Sequence, residues 1–321
     1  MKAALYDRYG PPETIRLAEI PTPAAAPGEV LVRVRAAALT TADWRLRASA
    51  FPGGLWLAGR LMTGLLRPRN KVLGSAFAGT VTALGPGATG FQPGDPVFGF
   101  APNGAHAEYL TIKTTAAIAP MPEGLSFEDA AALPFGGASA LVFLRDVAKL
   151  ASGQRILILG ASGATGSYAV QIARAMGAEV TGVASGPNED FVSGLGAAHF
   201  IDYHSEDPLA GARRYDVIFD TVGAATFAKA RSALTANGTF VPLNFSVLDA
   251  IRGAFSGRTM KIAVSGDSRA HLDDLAAMIR AGTLRALVET VLPFDQIRKA
   301  HRLVETRHRR GTLVLRMPGE T

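Results

Sequence analysis

Residues 155–185, RILILGASGATGSYAVQIARAMGAEVTGVAS, decide the fold. Ile156, Leu157, Ile158 and Leu159 form a continuous apolar run of strand length, the pattern of a parallel strand buried on both faces. Gly160, Gly163 and Gly166 follow at three-residue spacing. Ala169, Val170, Ile172, Ala173 and Met176 then recur with helical period, and Gly177 stands where a helix C-cap belongs. A second apolar strand, Val180 to Ala184, closes a βαβ unit of about 30 residues. Glycines at such a turn let backbone N–H groups approach a pyrophosphate, which the helix N-terminus stabilises electrostatically. With a strand before the glycines and a helix after them, the motif predicts dinucleotide binding, the pyrophosphate being taken by Gly160, Gly163, Ala164, Thr165 and Gly166.

Outward from this unit the chain divides in two. From Ser126 the pattern is βα alternation, with strands expected at 156–159, 180–184, 199–202, 216–219, 239–243 and 261–265. Six such strands with intervening helices predict an α/β, doubly wound parallel sheet over residues 123–281. Residues 1–122 read as mostly β. Glu29 to Leu39 places Val30, Val32 and Val34 on one face and Leu31, Arg33 and Arg35 on the other, a half-buried strand. Further strands are expected at 72–84 and 96–100, between turns such as Gly85-Pro86-Gly87 and Pro93-Gly94-Asp95. The tail, 282–321, returns to β character at 287–292 and 312–315 and is expected to rejoin the first domain.

The 321 residues are 48% apolar, enough for a large core, and show no internal repeat or low-complexity segment. The absence of cysteine excludes a disulfide, a thiolate nucleophile and cysteine-ligated zinc or iron–sulfur. The net charge of +6 is modestly basic and does not by itself point to nucleic acid. Basic residues gather at Arg60, Arg67, Arg69 and Lys71, and again at Arg302, Arg307, Arg309 and Arg310, read as solvated surface or as steering for a phosphate-bearing ligand. The start, MKAALYDRYG, has no apolar core of signal-peptide length, so a cytoplasmic location is expected. Ala130 to Leu144, the longest apolar stretch, is too short to span a bilayer and contains Pro134; it reads as a buried helix, and no membrane association is expected.

A β-rich domain, a glycine-rich nucleotide domain and a short β tail resemble the medium-chain dehydrogenase/reductase superfamily over nearly the whole chain. The resemblance rests on Leu73-Gly74 with Phe77-Ala78-Gly79, Pro93-Gly94-Asp95-Pro96-Val97, Ala107-Glu108-Tyr109, Gly194-Leu195-Gly196-Ala197, Phe219-Asp220-Thr221-Val222-Gly223 and Arg310-Gly311. It implies a GroES-like barrel for 1–122 and 282–321, and the similarity is greatest to the zinc-independent quinone oxidoreductase group. Zinc enzymes of the superfamily use a cysteine where Thr40 stands, a His-Glu pair where Ser75 and Ala76 stand, and a proton-relay hydroxyl where Ala42 stands. A hydroxyl and a methyl do not replace thiolate, imidazole and carboxylate around Zn²⁺, so no metal is expected. The zinc-free group commonly has Asn in place of Thr40 and an acid in place of Ala76, and this chain departs from it at both.

The implied chemistry is hydride transfer from NADPH, with NADH as the alternative, to a small hydrophobic electrophile such as a quinone or an enone. Enoyl reduction of acyl thioesters is a second reading, with the basic clusters meeting an acidic carrier or a CoA phosphate. A nucleotide-sensing or RNA-binding protein without catalysis is a third, although no module of paired aromatics supports it. Thr40 and Asp43 are the catalytic candidates at the expected cleft, Asp43 having a structural alternative in holding the cleft loop. His106 reads as a lone histidine on a surface turn. By motif position Ser139, Val222, Gly223, Leu243, Asn244 and Phe245 are assigned to the nicotinamide half. Ser185 stands where an NAD-specific site carries a carboxylate, and Tyr203 matches a tyrosine that contacts the 2′-phosphate, which together predict NADPH. Residues 51–66, FPGGLWLAGRLMTGLL, read as an apolar lid or as a satellite core. An unpaired sheet edge at 261–265 predicts a homodimer.

Overall fold

The computed structural model describes residues 1–51, 53–255, 260–263 and 268–319, which gather into two compact units. The first contains 1–51, 56–138 and the C-terminal residues from 267 onward; the second contains 139–266 together with the short stretch 52–55.

In the first unit, β1 (Lys2–Tyr6) and β2 (Ile15–Glu19) pair antiparallel. β3 (Glu29–Leu39) follows with the alternation expected of it: Val30, Val32 and Val34 are buried, Leu31 and Arg33 half-buried, and Arg35 exposed. Short helices α1 (Thr41–Ala48) and α2 (Trp56–Thr63) lead to β4 (Ala76–Leu84), β5 (Pro96–Phe100), β6 (Tyr109–Lys113) and β7 (Ile118–Pro120). The strand expected from Val72 begins only at Ala76. Gly74 adopts φ +91°, outside the strand region, and Val72 contributes a single bridge to Leu5.

α3 (Phe127–Leu141) continues without a break into a π-helical turn, Val142–Ala148. The 22-residue helix is long and apolar enough to cross a membrane by length and composition, and 78% of its most apolar stretch is buried in the protein. Its first part, through Ala138, packs with the first unit, as does α8 (Arg269–Arg280); a Cβ on Gly137 would meet the Leu275 side chain at 3.1 Å. Both helices lie within 123–281, the range expected to form the nucleotide domain, so the contact boundaries fall inside that range.

In the second unit, β8 (Arg155–Leu159), α4 (Ala164–Ala175), β9 (Glu179–Ala184), α5 (Glu189–Gly194), β10 (His199–Asp202), β11 (Tyr215–Asp220), α6 (Phe227–Ala233), β12 (Leu234–Pro242) and α7 (Val247–Phe255) alternate. The strands form one parallel sheet in the order β10-β9-β8-β11-β12. The order reverses beside β8, the position at which open α/β sheets bind ligands. β12 starts earlier than expected, with a register shift against β11 between Tyr215 and Val217. The expected sixth strand is not formed at 261–263, where only Lys261 N bonds to Phe240 O at 2.9 Å after a parallel bridge from Met260 to Phe240, and 264 and 265 lie outside the described residues. Leu157, Leu159, Ile218 and Phe240 bury the sheet against Phe227 and Ala230 of α6.

The tail completes the first unit. β13 (Val288–Pro293) and β14 (Thr312–Arg316), connected through α9 (Ile297–Glu305), join the barrel sheet, whose order is β13-β14-β3-β4-β5-β7 with β6 also on β3. Leu313 and Leu315 meet Val32, Phe77 and Ile118 in its core, which α9 closes with Ile297, Ala300 and Val304.

Candidate functional site

The βα turn after β8 is built for an anion. Gly160 has φ +81°, and a Cβ there would lie 2.5 Å from Val222 Cγ1. Its amide and that of Ala161 both donate to Val183 O, at 3.0 and 2.9 Å, which locks the turn to the neighbouring strand. A Cβ on Gly166 would fall 2.0 Å from Gly160 O, so only glycine lets α4 approach the loop this closely. Gly163 is the N-cap of α4 and offers no side chain to its amides. The first-turn N–H groups of Ala164, Thr165 and Gly166 precede the first intrahelical bond, Ser167 N to Gly163 O at 2.9 Å, so an incoming anion is their natural acceptor.

The strand ends beside this turn carry the other assigned residues. Asp220, fully buried at the end of β11, accepts from Val222 N at 3.0 Å and Gly223 N at 2.7 Å through Oδ1, and from Ala225 N at 2.8 Å through Oδ2. Thr221 Oγ1 donates to Leu159 O at 2.8 Å, tying the loop to β8. Leu243 N donates to Asp220 O at 2.9 Å, and Asn244 Nδ2 to Thr221 O at 3.4 Å. Val222, Gly223, Leu243 and Asn244 are thus brought together with Gly160. Phe245 follows directly, packed against the unit core, and Ser246 then caps α7 by accepting from Asp249 N at 3.0 Å. Asp220 itself was not singled out as a site residue from sequence; the signal is an acid ending a buried strand, followed by a Gly that requires positive φ. Ser139 sits half-buried in the last turn of α3, ahead of the π-helical turn whose Phe143 stacks on Phe219 at 5.9 Å.

Ser185 and Tyr203 follow the paired ends of neighbouring strands. Asp202 pairs with Ala184 across parallel strands, so the next residues lie side by side at the ends of β9 and β10. The Ser185 hydroxyl accepts from Asn188 Nδ2 at 2.8 Å, leaving its own proton to donate. Tyr203 is 46% exposed, with its ring centroid 4.3 Å from that of His204. The Asp202 carboxylate is occupied by His204 N at 3.0 Å and Ser205 Oγ at 3.4 Å.

In the first unit, Thr40 and Asp43 form a closed capping box at the start of α1. Thr40 N and Oγ1 donate to Asp43 Oδ2 at 2.8 and 2.7 Å, Asp43 N returns a bond to Thr40 Oγ1, and Gly74 N donates to Oδ1 at 3.1 Å. Both side chains are buried. Asp43 therefore holds the Gly74 turn in place, the structural role the sequence also allowed it.

His106 is a correction. Expected on a surface turn, it is fully buried, because Gly74 leaves room for its ring: a Cβ on Gly74 would lie 2.5 Å from His106 Cδ2. Its Nε2 faces Ala38 O at 3.1 Å, and its ring stands edge-on to His301 with centroids 6.3 Å apart. His301 accepts from Arg47 Nε at 3.3 Å; the buried Arg47 also donates to Gly10 O at 2.6 Å and to Glu305. The Ala38 carbonyl requires a proton on His106 Nε2, and acceptance from Arg47 Nε leaves His301 Nδ1 bare, so the His301 proton lies on Nε2. Burial, reinforced by His106 and Arg47, holds the His301 pKa well below the ordinary histidine value, and burial lowers Arg47 to about 10. Sequence spacing gave no sign of this cluster, whose members come from loops and helices far apart in the chain.

Residues 51–66 do not form a satellite core: Trp56, Leu57, Leu61, Met62, Leu65 and Leu66 are all about half or more exposed. A cavity of about 600 Å³ in the first unit, bordered by Leu17, Phe294 and Arg316, contains none of the assigned residues.

Two family models match the chain: the alcohol dehydrogenase GroES-like domain over residues 26–123 and the zinc-binding dehydrogenase domain over 195–315. The quinone oxidoreductase of Coxiella burnetii is 30% identical, with 99% of each chain covered and a TM-score of 0.87. The mitochondrial NAD(P)H oxidoreductase RTN4IP1 of Mus musculus is 29% identical over 98% of this chain and 89% of its own length. The CurK enoyl reductase, 22% identical with 99% of each chain covered and a TM-score of 0.87, shares the fold.

Proposed function

We propose that this chain, which belongs to the medium-chain dehydrogenase/reductase superfamily and its quinone oxidoreductase-like group, is an NADPH-dependent, zinc-independent reductase of quinones or α,β-unsaturated carbonyl compounds. The observation that carries this reading is the glycine cradle at the N-terminus of α4, with Val222, Gly223 and Asn244 gathered beside it. These residues fit a dinucleotide: Gly160, Gly163 and Gly166 give the backbone room, and the first-turn amides of α4 hold the pyrophosphate. The nicotinamide, when bound, supplies the hydride. Asp220 sets the course of the loop from Thr221 to Ala225 and so orients the nicotinamide half. The hydroxyls of Ser185 and Tyr203 would donate to a 2′-phosphate; Ser185 adds no carboxylate of its own, and the nearby Asp202 carboxylate is already engaged by His204 N and Ser205 Oγ.

The residues do not fit zinc, although one matched family is described as zinc-binding. Thr40 spends its hydroxyl on Asp43, Ser75 offers a neutral oxygen and Ala76 a methyl, which is no donor set for Zn²⁺. The substrate must therefore arrive already electrophilic, as quinones and enones do. With the Thr40 proton committed to Asp43, the proton that follows the hydride comes from solvent or a cofactor hydroxyl. A homodimer joined along the sheet edge at 261–265 belongs to this proposal, because an unpaired strand edge there would invite pairing across a two-fold axis.

Following NADPH oxidation against a panel of quinones, enones, enals and enoyl thioesters tests the activity. Turnover of quinones or enones is expected; turnover of thioesters alone replaces the substrate class, and none at all with cofactor bound overturns the enzyme. Metal analysis of the active protein is expected to find no stoichiometric zinc, and light scattering a mass twice 33.5 kDa.

A further inference from the structure

We propose that α2 and the loop after it dock on an anionic lipid surface. The helix is inside out. Its inward side consists of Gly59, Arg60 and Thr63, while Leu57, Leu61, Met62 and Leu66 point outward, Met62 at 78% and Leu66 at 85% exposure. In a helix that serves only to cover a core, the apolar stripe faces inward.

The inward side is firmly tethered, so the outward face is a fixed ridge. The Arg60 guanidinium lies 4.0 Å from the Tyr9 ring centroid and 5.3 Å from that of Trp56. The Tyr9 hydroxyl donates to Gly64 O at 2.7 Å and lies 2.9 Å from Thr63 Oγ1. Gly59 backs onto Phe51 so closely that a Cβ would sit 2.4 Å from its ring. A long cation and two hydroxyls are thus spent to hold apolar side chains in water, a cost that an outside partner can repay.

Charge selects the partner. Arg67 and Arg69, both exposed, follow the ridge directly, and no Asp or Glu occurs between Asp43 and Asp95. An apolar ridge with a tryptophan, followed by the exposed Arg67 and Arg69 while Lys71 beyond them is paired with Asp7 at 3.3 Å, matches the interfacial anchor of a peripheral membrane protein: side chains enter the headgroup region and arginines meet anionic lipid. A second copy of the chain suits the ridge less well. A two-fold contact through it would bring the same arginines face to face. This departs from the absence of membrane association expected from sequence, where the apolar run gave no hint that its polar side would turn inward.

The full-length protein is mixed with vesicles of phosphatidylcholine containing one-third phosphatidylserine, or of phosphatidylcholine alone, and sedimented. Binding to the anionic vesicles is expected at about 0.1 M salt and a sharp loss at about 1 M, where the screening length falls from about 10 to about 3 Å. Arg67→Glu with Arg69→Glu is expected to lower the partition coefficient about tenfold or more, and Met62→Asp with Leu66→Asp comparably. All four side chains are exposed, so the variants keep the fold, which circular dichroism verifies. In a Trp44→Phe background, Trp56 emission is expected to shift to the blue and to be quenched by brominated lipid. No binding to anionic vesicles, binding indifferent to both double variants, or a dimer that alone shields Trp56 from aqueous quencher would each overturn the proposal.

Discussion

Asp220→Asn tests whether the cofactor loop is organised by a buried charge. Two terms oppose each other. A carboxylate fully removed from water pays a desolvation cost that asparagine avoids, so a weakly bonded Asp220 would make the substitution stabilising. Against this stand three backbone donors at 2.7 to 3.0 Å from the carboxylate. Hydrogen bonds to a charged acceptor contribute about 1.5–3 kcal/mol each. Asparagine retains its oxygen for Val222 N and Gly223 N at roughly half strength, and turns an N–H toward the N–H of Ala225. Loss of one charged bond and weakening of two exceeds the desolvation gain, for a net destabilisation of about 2–3 kcal/mol. Because Val222 packs beside Gly160, the disturbance reaches the pyrophosphate turn. Urea denaturation is expected to show that loss, and calorimetric titration an NADPH Kd raised about tenfold, equivalent to about 1.4 kcal/mol. Unchanged stability with unchanged Kd refutes the reasoning, and a gain in stability shows that desolvation dominates.

What was legible in the sequence followed physical range. The strand, glycine turn and helix of 155–177 are local: buried parallel strands and a glycine-only approach leave marks within thirty residues, and each became the element expected. Gly74 shows the limit. The apolar run from Val72 looks like strand throughout, yet a positive φ that serves His106 and Asp43 breaks it, and neither partner adjoins it in sequence. His106 was misplaced on the surface for the same reason, since its burial depends on α9, about two hundred residues later. The α2 segment failed differently. Its apolar content was plain, but which side would face the protein was decided by Tyr9, whose hydroxyl draws Thr63 and Gly64 inward. The assignment of Ser185 and Tyr203 rests on resemblance to the family, and the parallel pairing of Asp202 with Ala184 places them at neighbouring strand ends.

Three further outcomes follow from the same geometry. Gly166→Val forces a side chain into the carbonyl of Gly160 and is expected to weaken NADPH binding at least about tenfold, read by titration; retained affinity removes the glycine argument. Ser185→Asp is expected to move the NADPH/NADH affinity ratio about tenfold toward NADH, while Tyr203→Phe weakens NADPH alone a few-fold; equal effects on both cofactors refute the 2′-phosphate assignment. The last concerns acid. His301 is held neutral by burial beside His106 and Arg47, with a pKa well below the ordinary value, whereas in the unfolded chain it binds a proton near pH 6.5. The unfolded state then carries the extra proton below that pH, so stability is full above about 6.5 and falls as pH drops, by up to about 1.4 kcal/mol per pH unit from this group. His301→Asn keeps an acceptor for Arg47 Nε and removes the titration, so denaturation midpoints between pH 7.5 and 5.5 should decline less steeply in the variant. Equal slopes in the two proteins would mean that the native cluster accepts the proton after all.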